Sequence, residues 1–358
     1  MRVLHIIAGA ATGGAETFAQ DAVSALAERG IEQHVIGRPH PIAAARYEAA
    51  GVGFSPFGFT AFDRLRRGTL RTRAASFGAD IVHAWMARAA SFVPGGMPCP
   101  VLGWFGGYYD LKYYRRADFL AGVTRDIVRD LVARGAPADR VSVVHTFGTL
   151  PDSAPVERAA LGTPEHAPVV LVLSRLHEKK GIDTILRAVA TLPGFYLWLA
   201  GEGPERERYK TLAERLGVGE RVRFLGWRTD RKSLLAACDV CALPSRYEPF
   251  GTVMPEAWSM RKPLVATRAA GARQYVTDGE SGLLCDIDDV EGLAGALRRA
   301  ACDSALRERI VAGGWAAYEA EFERTRVVDT LLDTYRRSIE AGFCNGRVHP
   351  ISRGHTGA

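Results

Sequence analysis

Two carboxylates, Glu248 and Glu256, stand eight residues apart on either side of Pro249-Phe250-Gly251-Thr252-Val253, a stretch that follows an apolar strand run and opens a helix. Glu248 falls on the loop and Glu256 about two turns later, so the pair reaches different parts of one extended ligand instead of sharing a proton. Between them, the backbone N–H groups of Phe250, Gly251, Thr252 and Val253 form a helix N-terminus suited to an anion. Carboxylate, anion seat and second carboxylate in line match the hydroxyls of a sugar, a diphosphate and a ribose.

A second cluster, Ser174-Arg175-Leu176-His177-Glu178-Lys179-Lys180-Gly181, follows another apolar run. Arg175 can fork onto phosphate oxygens and Lys180 adds a compact positive charge nearby, which together would neutralise a departing diphosphate. The competing reading is an exposed basic turn before a helix. Gly201-Glu202-Gly203-Pro204 and Gly13-Gly14-Ala15-Glu16 each follow a strand and open a helix, where glycine lets backbone approach a ligand or simply makes the turn. Neither carries the full dinucleotide fingerprint, which counts against a dehydrogenase. Asp286-Ile287-Asp288 imitates an acidic metal motif, but it precedes a helical stretch from Val290 and reads as a cap, with Asp288 as the capping residue. Cys238-Asp239-Val240-Cys241 lacks a second pair and reads as core packing at a strand entry.

These clusters need a scaffold that presents strand ends. Short apolar strands at Val3–Ile7, 34–37, 81–83 and 101–104 alternate with helical segments in the first half, and a restart at Val169–Leu173 continues through 195–200, 222–225, 240–243 and 264–266. That alternation predicts an α/β protein with two Rossmann-like domains, each a parallel sheet covered by helices. The boundaries read as 1–155 for the first domain, a proline-rich linker at 156–168 and a second domain at 169–322. A helix at 323–340 is expected to pack back across both domains, followed by a poorly ordered tail at 341–358. Two facing domains of this kind supply a cleft at the carboxyl ends of their strands.

The chain has 358 residues, 47% hydrophobic and 24% charged, with no apolar stretch of membrane-spanning length, so a soluble two-domain protein is expected. Met1–Ile7 reads as a strand and not as a secretion signal, and six scattered cysteines read as reduced thiols, which together suggest a cytoplasmic protein. The net charge of +6 allows an anionic partner. Arg64, Arg66, Arg67, Arg71 and Arg73, beside Phe62, Leu65 and Leu70, have the composition of a basic amphipathic helix. Such a helix could rest on an anionic membrane face or serve phosphate groups, and a solvated helix face is the alternative. Nothing points to nucleic acid.

Arg175 with Lys180, Gly201-Glu202-Gly203-Pro204, Phe224-Leu225-Gly226, the Glu248-to-Glu256 pair and Gly279-Glu280-Ser281-Gly282-Leu283-Leu284 occur in the order seen in family 4 retaining glycosyltransferases, and the chain resembles that family along nearly its whole length. The resemblance is specific in the second domain; in the first it rests on Gly13-Gly14-Ala15-Glu16 and Asp80-Ile81-Val82-His83. It implies a GT-B fold with the donor on the second domain and the acceptor on the first. Arg175 and Lys180 would bind the diphosphate of a UDP-, GDP- or ADP-sugar, Glu248 would face the donor sugar, and Glu256 would hold ribose hydroxyls. Gly201 and the Phe250–Val253 backbone would contribute to the donor seat, and Gly13 and Gly14 would let the first domain close on the phosphates. It further implies a metal-independent, cofactor-free transfer of a hexose-type sugar with retention, through an oxocarbenium-like transition state in which the departing phosphate helps deprotonate the acceptor.

Two departures fall in the first domain and its exit. Gly106-Gly107-Tyr108-Tyr109 stands where members carry a histidine, and Val144-His145-Thr146-Phe147-Gly148 where they show Pro-Asn-Gly. Tyr108, Tyr109 and Lys112 are then the nearest candidates for sugar contact on the acceptor side, with His83 and His145 either meeting the acceptor or packed into the fold. The expected acceptor is a glycan or lipid-linked glycan of a cell-surface polysaccharide or lipopolysaccharide, reached from the inner membrane face. A nucleotide-sugar phosphorylase, an epimerase, or a catalytically silent nucleotide-sugar-binding module of the same fold are the alternatives.

Overall fold

The computed structural model describes residues 1–9, 14–148, 150 and 153–343. Gly13 and Cys344, together with most of the expected tail, lie outside these residues. The chain forms two compact units, Met1–Thr146 joined by the C-terminal helix, and Phe147–Glu323.

The first unit holds β1 (Arg2–Ile7), β2 (Glu32–Gly37), β3 (Gly53–Pro56), β4 (Ile81–Trp85), β5 (Val101–Phe105), β6 (Phe119–Gly122) and β7 (Val141–Val143) in one parallel sheet of order β3-β2-β1-β4-β5-β6-β7. Its helices are α1 (Gly14–Glu28), α2 (Pro41–Ala49), α3 (Gly68–Phe77), α4 (Met86–Phe92) and α5 (Arg125–Ala133). The four strands expected there are present, and β3, β6 and β7, short and weakly patterned, are additional. Strands β4 and β5 are buried at every position, as parallel strands covered on both faces must be.

The second unit repeats the plan with β8 (Val169–Leu173), β9 (Tyr196–Ala200), β10 (Val222–Gly226), β11 (Val240–Leu243), β12 (Leu264–Thr267) and β13 (Leu283–Cys285), in the parallel order β10-β9-β8-β11-β12-β13. Around it run α6 (Ile182–Ala190), α7 (Arg206–Arg215), α8 (Arg231–Ala237), α9 (Val253–Ser259), α10 (Ala270–Tyr275), α11 (Val290–Cys302) and α12 (Ser304–Ala317). The segment read as a linker, 156–168, is tied to this unit: Arg158 donates to Ala237 O and pairs with Asp239 at 3.0 Å, and Thr163 Oγ1 accepts from buried Trp198 Nε1 at 3.0 Å.

The last helix, α13 (Arg324–Ala341), belongs to the first unit. Its apolar stripe, Val327, Val328, Leu331, Leu332 and Tyr335, is buried. Both of its margins are tied down, by Arg324 forked onto Glu28 at 2.7 Å and by Arg29 on Asp329 at 2.6 Å. No helix among the described residues is long and apolar enough to cross a membrane.

Candidate active site

In each sheet the strand order reverses once, between β1 and β4 and between β8 and β11. Loops leaving two such strands turn to opposite sides and open a crevice at the carboxyl edge, the place where ligands settle in open parallel sheets. In the second unit the two diverging loops are the ones that carry Arg175 with Lys180, after β8, and Glu248, after β11.

These loops are drawn together by backbone. Lys179 O accepts from the N–H groups of both Arg246 and Tyr247, at 2.9 and 3.1 Å. Gly181 has φ 61°, and a Cβ on it would lie 2.0 Å from Pro244 O, so only glycine lets the β8 loop come this close. Gly201 serves the neighbouring strand end in the same way, with a Cβ there 1.9 Å from Ser174 O. The result is that Lys180 Nζ meets Glu248 Oε2 at 2.5 Å, with both side chains largely shielded, and Ser245 Oγ donates to the same oxygen at 3.3 Å.

Arg246 braces the arrangement from behind. It donates to Asp183, to Glu178 O and to Asp288, joining α6, the β8 loop and the segment after β13. Burial alone would raise the Asp183 pKa, but hydrogen bonds from Arg246 and Arg187 more than offset it and hold the carboxyl below its ordinary value. Hydrogen bonding from Arg246 likewise depresses Asp288. Asp288 is therefore not the helix cap expected from its position: it sits in the left-handed region at φ 63° and is held by Arg246 and Thr184. The cap of α11 is Asp289, whose side chain accepts from Gly292 N at 2.9 Å. The cap must reach the third helical residue, and Asp289 is the one at that spacing.

At the start of α9, Thr252 is the capping residue and makes no side-chain hydrogen bond to the first turn. Met254 N bonds Gly251 O and Pro255 brings no donor, so the amides of Thr252 and Val253 are the ones available to an anion. The Phe250 side chain packs against Tyr275 and Phe322, so it contributes to the site through its backbone. Glu256, almost wholly buried, is held at Oε1 by Arg231 from the first turn of α8. Arg175 is exposed and has no ion-pair partner among the described residues. The sequence assigns no role to Arg246, Arg231 or Asp183; the two arginines act across long separations, and of the acids they hold only Asp288 and Glu256 carry a local signal.

The residues singled out in the first unit are less uniform. Gly14 opens α1, and Gly13 is outside the described residues. Tyr108 Oη donates to Asp126, Tyr109 Oη approaches Met86 Sδ at 3.9 Å, and Lys112 pairs with Asp110 at 2.9 Å on an exposed turn. Met86 itself, at the carboxyl end of β4, is left-handed at φ 63°, an uncommon conformation for a residue with a side chain. His83 is 0% exposed: it stacks on Trp85 at 3.9 Å and its Nδ1 lies 2.6 Å from Tyr335 Oη, which is the packed alternative. His145 Nδ1 donates to Val123 O at 2.8 Å. The arginine cluster does not form one amphipathic helix. Phe62–Arg64 is a single 3₁₀ turn, α3 starts only at Gly68, and Phe62 and Leu65 project at 69% and 85% exposure. Arg64 lies over the Phe92 ring at 4.8 Å, while Arg66 and Arg67 have no ion-pair partner among the described residues.

Comparison with known proteins follows the same division. Residues 12–147 match the family described as Glycosyltransferase Family 4, and residues 153–314 match Glycosyl transferases group 1. Over 335 residues, 93% of this chain and 98% of the relative, the sequence is 37% identical to the lipopolysaccharide core biosynthesis glycosyltransferase LpsE of Rhizobium meliloti. It is 36% identical to LpsD of the same organism, over 95% and 99% of the two chains. Among solved structures, Anabaena Alr3699/HepE in complex with UDP superposes with a TM-score of 0.83 at 22% identity, covering 94% of this chain and 100% of that one, a likeness of fold.

Proposed function

The chain belongs to glycosyltransferase family 4, and from that premise we propose that it transfers a hexose-type sugar from a nucleotide-diphosphate donor to a glycan or lipid-linked acceptor, with retention of configuration, in the assembly of a lipopolysaccharide core. The acceptor class is carried over from LpsE and LpsD, and a uridine donor is suggested by the UDP and UDP-glucose complexes of the structural neighbour.

The observation that carries the reading is the convergence of Lys180, Glu248 and the first amides of α9 at the strand-order reversal of the second sheet, with Arg175 on the same loop as Lys180 and Glu256 held by Arg231 in the first turn of α9. Arg175, Lys180 and the amides of Thr252 and Val253 would take the diphosphate, the charge of which grows as the bond to the sugar breaks, and fixed donors there act more strongly on the transition state than on the ground state. Glu248 would accept from sugar hydroxyls and Glu256 from ribose. The C1–O bond to phosphate breaks, the C1–O bond to the acceptor forms on the same face, and the acceptor hydroxyl proton passes to a departing phosphate oxygen. No metal and no cofactor takes part in this scheme.

Phe62 and Leu65, raised on a turn between Arg64, Arg66 and Arg67, are suited to resting on an anionic membrane face, which would place a cytoplasmic enzyme beside a lipid-linked acceptor.

The test is release of the nucleotide from a panel of UDP-, GDP- and ADP-sugars, with product anomers assigned by NMR. Arg175→Ala and Glu248→Gln should each lower turnover by at least about 10²-fold. Wild-type turnover in both variants would overturn the site, and an inverted anomer would remove retention.

A further inference from the structure

The carboxyl ends of β1 and β2 enclose a cavity of about 220 Å3 within the first unit, lined by none of the residues assigned above to the donor. One wall is aromatic: Tyr47 and Phe54 stack with ring centres 5.9 Å apart. Facing it are four half-buried polar side chains whose hydrogen-bonding capacity the protein leaves largely unused. Glu16 and Gln20 lie one turn apart on α1, and neither side chain has a hydrogen-bond or ion-pair partner among the described residues. Arg38 spends one N–H on Gly58 O at 3.1 Å and has no carboxylate partner among the described residues. His40 Nδ1 accepts from Ala43 N at 3.4 Å, which leaves its Nε2–H as a donor.

A cation, an acid, an amide and an imidazole that converge on one concave site with most of their hydrogen-bonding atoms not committed to the protein mark a place for a polar ligand. The residue types narrow its chemistry. The half-buried Phe54 ring, backed by buried Tyr47, suits the C–H face of a sugar ring, Glu16 and Gln20 suit its hydroxyls, and the open fork of Arg38 suits one carboxylate or phosphate. Glu16 disfavours a polyanion such as a diphosphate. The cavity is smaller than the ~300–1,000 Å3 typical of drug-sized ligand sites, which limits it to about one ring. A neighbouring cavity of about 380 Å3 shares Pro39 and presents Arg66 and Arg73 together with Asp63, a mixed lining into which a longer polar chain could continue.

We infer that this cavity is an acceptor subsite for a sugar residue bearing a single acid group, phosphate or carboxylate. Its place in a reaction rests on the transferase reading above; its binding chemistry does not. The experiment titrates the full-length protein with glucose 6-phosphate, glucuronate and glucose, followed by saturation-transfer NMR, with a UDP-glucose thermal shift measured in parallel. At least one acid sugar should bind about tenfold or more tighter than glucose. Arg38→Gln should abolish that preference, Glu16→Gln should weaken all three sugars, and the UDP-glucose shift should be unchanged in both. Preference for glucose 6-phosphate alone assigns a phosphate, and for glucuronate alone a carboxylate. Should Arg38→Gln fail to fold, Arg38→Lys, which keeps the charge and loses the fork, should retain only part of the preference. Equal binding of all three sugars, or a preference that survives loss of Arg38, overturns the inference. A protein that keeps the UDP-glucose shift while failing this test retains its donor site; one that binds acid sugars and no nucleotide sugar loses the donor reading instead.

Discussion

At the scale of single residues, the first unit contains a polar chain with a fixed direction. Trp85 Nε1 can only donate, and it donates to His5 Nδ1 at 3.2 Å. The His5 proton is therefore on Nε2, donated to Gln33 Oε1 at 2.9 Å, and Gln33 Nε2 donates to Val23 O at 3.0 Å. A second proton on His5 would point at the indole N–H. Burial accordingly lowers the His5 pKa from 6.5 to about 4, and burial, with His5 nearby, lowers His83 well below 6.5. With both folded values depressed, the unfolded chain takes up protons first as pH falls, so the native state loses stability once pH drops below 6.5 and continues to lose it toward 4. A melting temperature that is flat between pH 7 and 5 would contradict this neutral pair. In the second unit, Arg231→Ala takes one charged partner from the buried Glu256 carboxylate; we expect a loss of about 1–2 kcal/mol, discounted for the partial exposure of Arg231, and a donor KM raised more than kcat is lowered. His5 read simply as part of an apolar strand, and His83 as a candidate for acceptor contact, because the register that sets His5 beside His83 is a property of the folded sheet. Lys180 and Glu248, which the fold brings together, could be singled out beforehand because each lies in a local motif next to a strand end, as Arg175 and Glu256 do.

At the scale of elements, the approach of the β8 and β11 loops depends on Gly181. An alanine there would need a left-handed backbone and would place Cβ against Pro244 O. Gly181→Ala should cost about 1–3 kcal/mol in urea unfolding and separate Lys180 from Glu248, lowering turnover with it. A variant with wild-type stability and turnover would show that the loops can meet another way. The strand ends were readable from apolar runs, whereas β3, β6 and β7 were not, since three- and four-residue edge and flanking strands carry too little alternation to stand out. The same limit misplaced the α11 cap: in Asp286-Ile287-Asp288-Asp289 the acids look alike, and Arg246, 42 residues away, removes Asp288 from the choice. The basic segment failed as one helix because Gly68 starts a new one. Its exposed turn makes a different prediction, that Phe62→Ser with Leu65→Ser should weaken co-sedimentation with anionic liposomes as much as charge reversal of Arg64, Arg66 and Arg67.

At the scale of the molecule, the chain order and the unit order differ: the second unit is inserted between Thr146 and Arg324, and the first unit is completed by a helix that follows the second unit in the chain. Periodicity announces α13 plainly, yet a helix carries in its own sequence no record of which unit covers its apolar stripe. Its place beyond the regular strand–helix alternation suggested a helix packing across both domains, and the described contacts of α13 include α1, β4 and, through Arg337 at 3.0 Å, the Ser142 hydroxyl of β7. Removing α13 would uncover its contacts on β4 and α1 and leave His83 without Tyr335, its hydrogen-bond partner. A side chain of this size returns about 1.5–3 kcal/mol when fully buried, so losing five of them is comparable with the whole stability of an ordinary domain, about 5–15 kcal/mol. A chain ending at Glu323 should therefore show two behaviours at once. Its first unit should lose cooperative melting and expose amides across β1, β4 and α1 to hydrogen exchange, while the β8–β13 sheet keeps native protection and still gains stability from UDP-glucose. Protected β1 and β4 amides in the truncated chain would mean that the first unit is complete without α13, and a loss of protection across β8–β13 would mean that the two units do not fold independently.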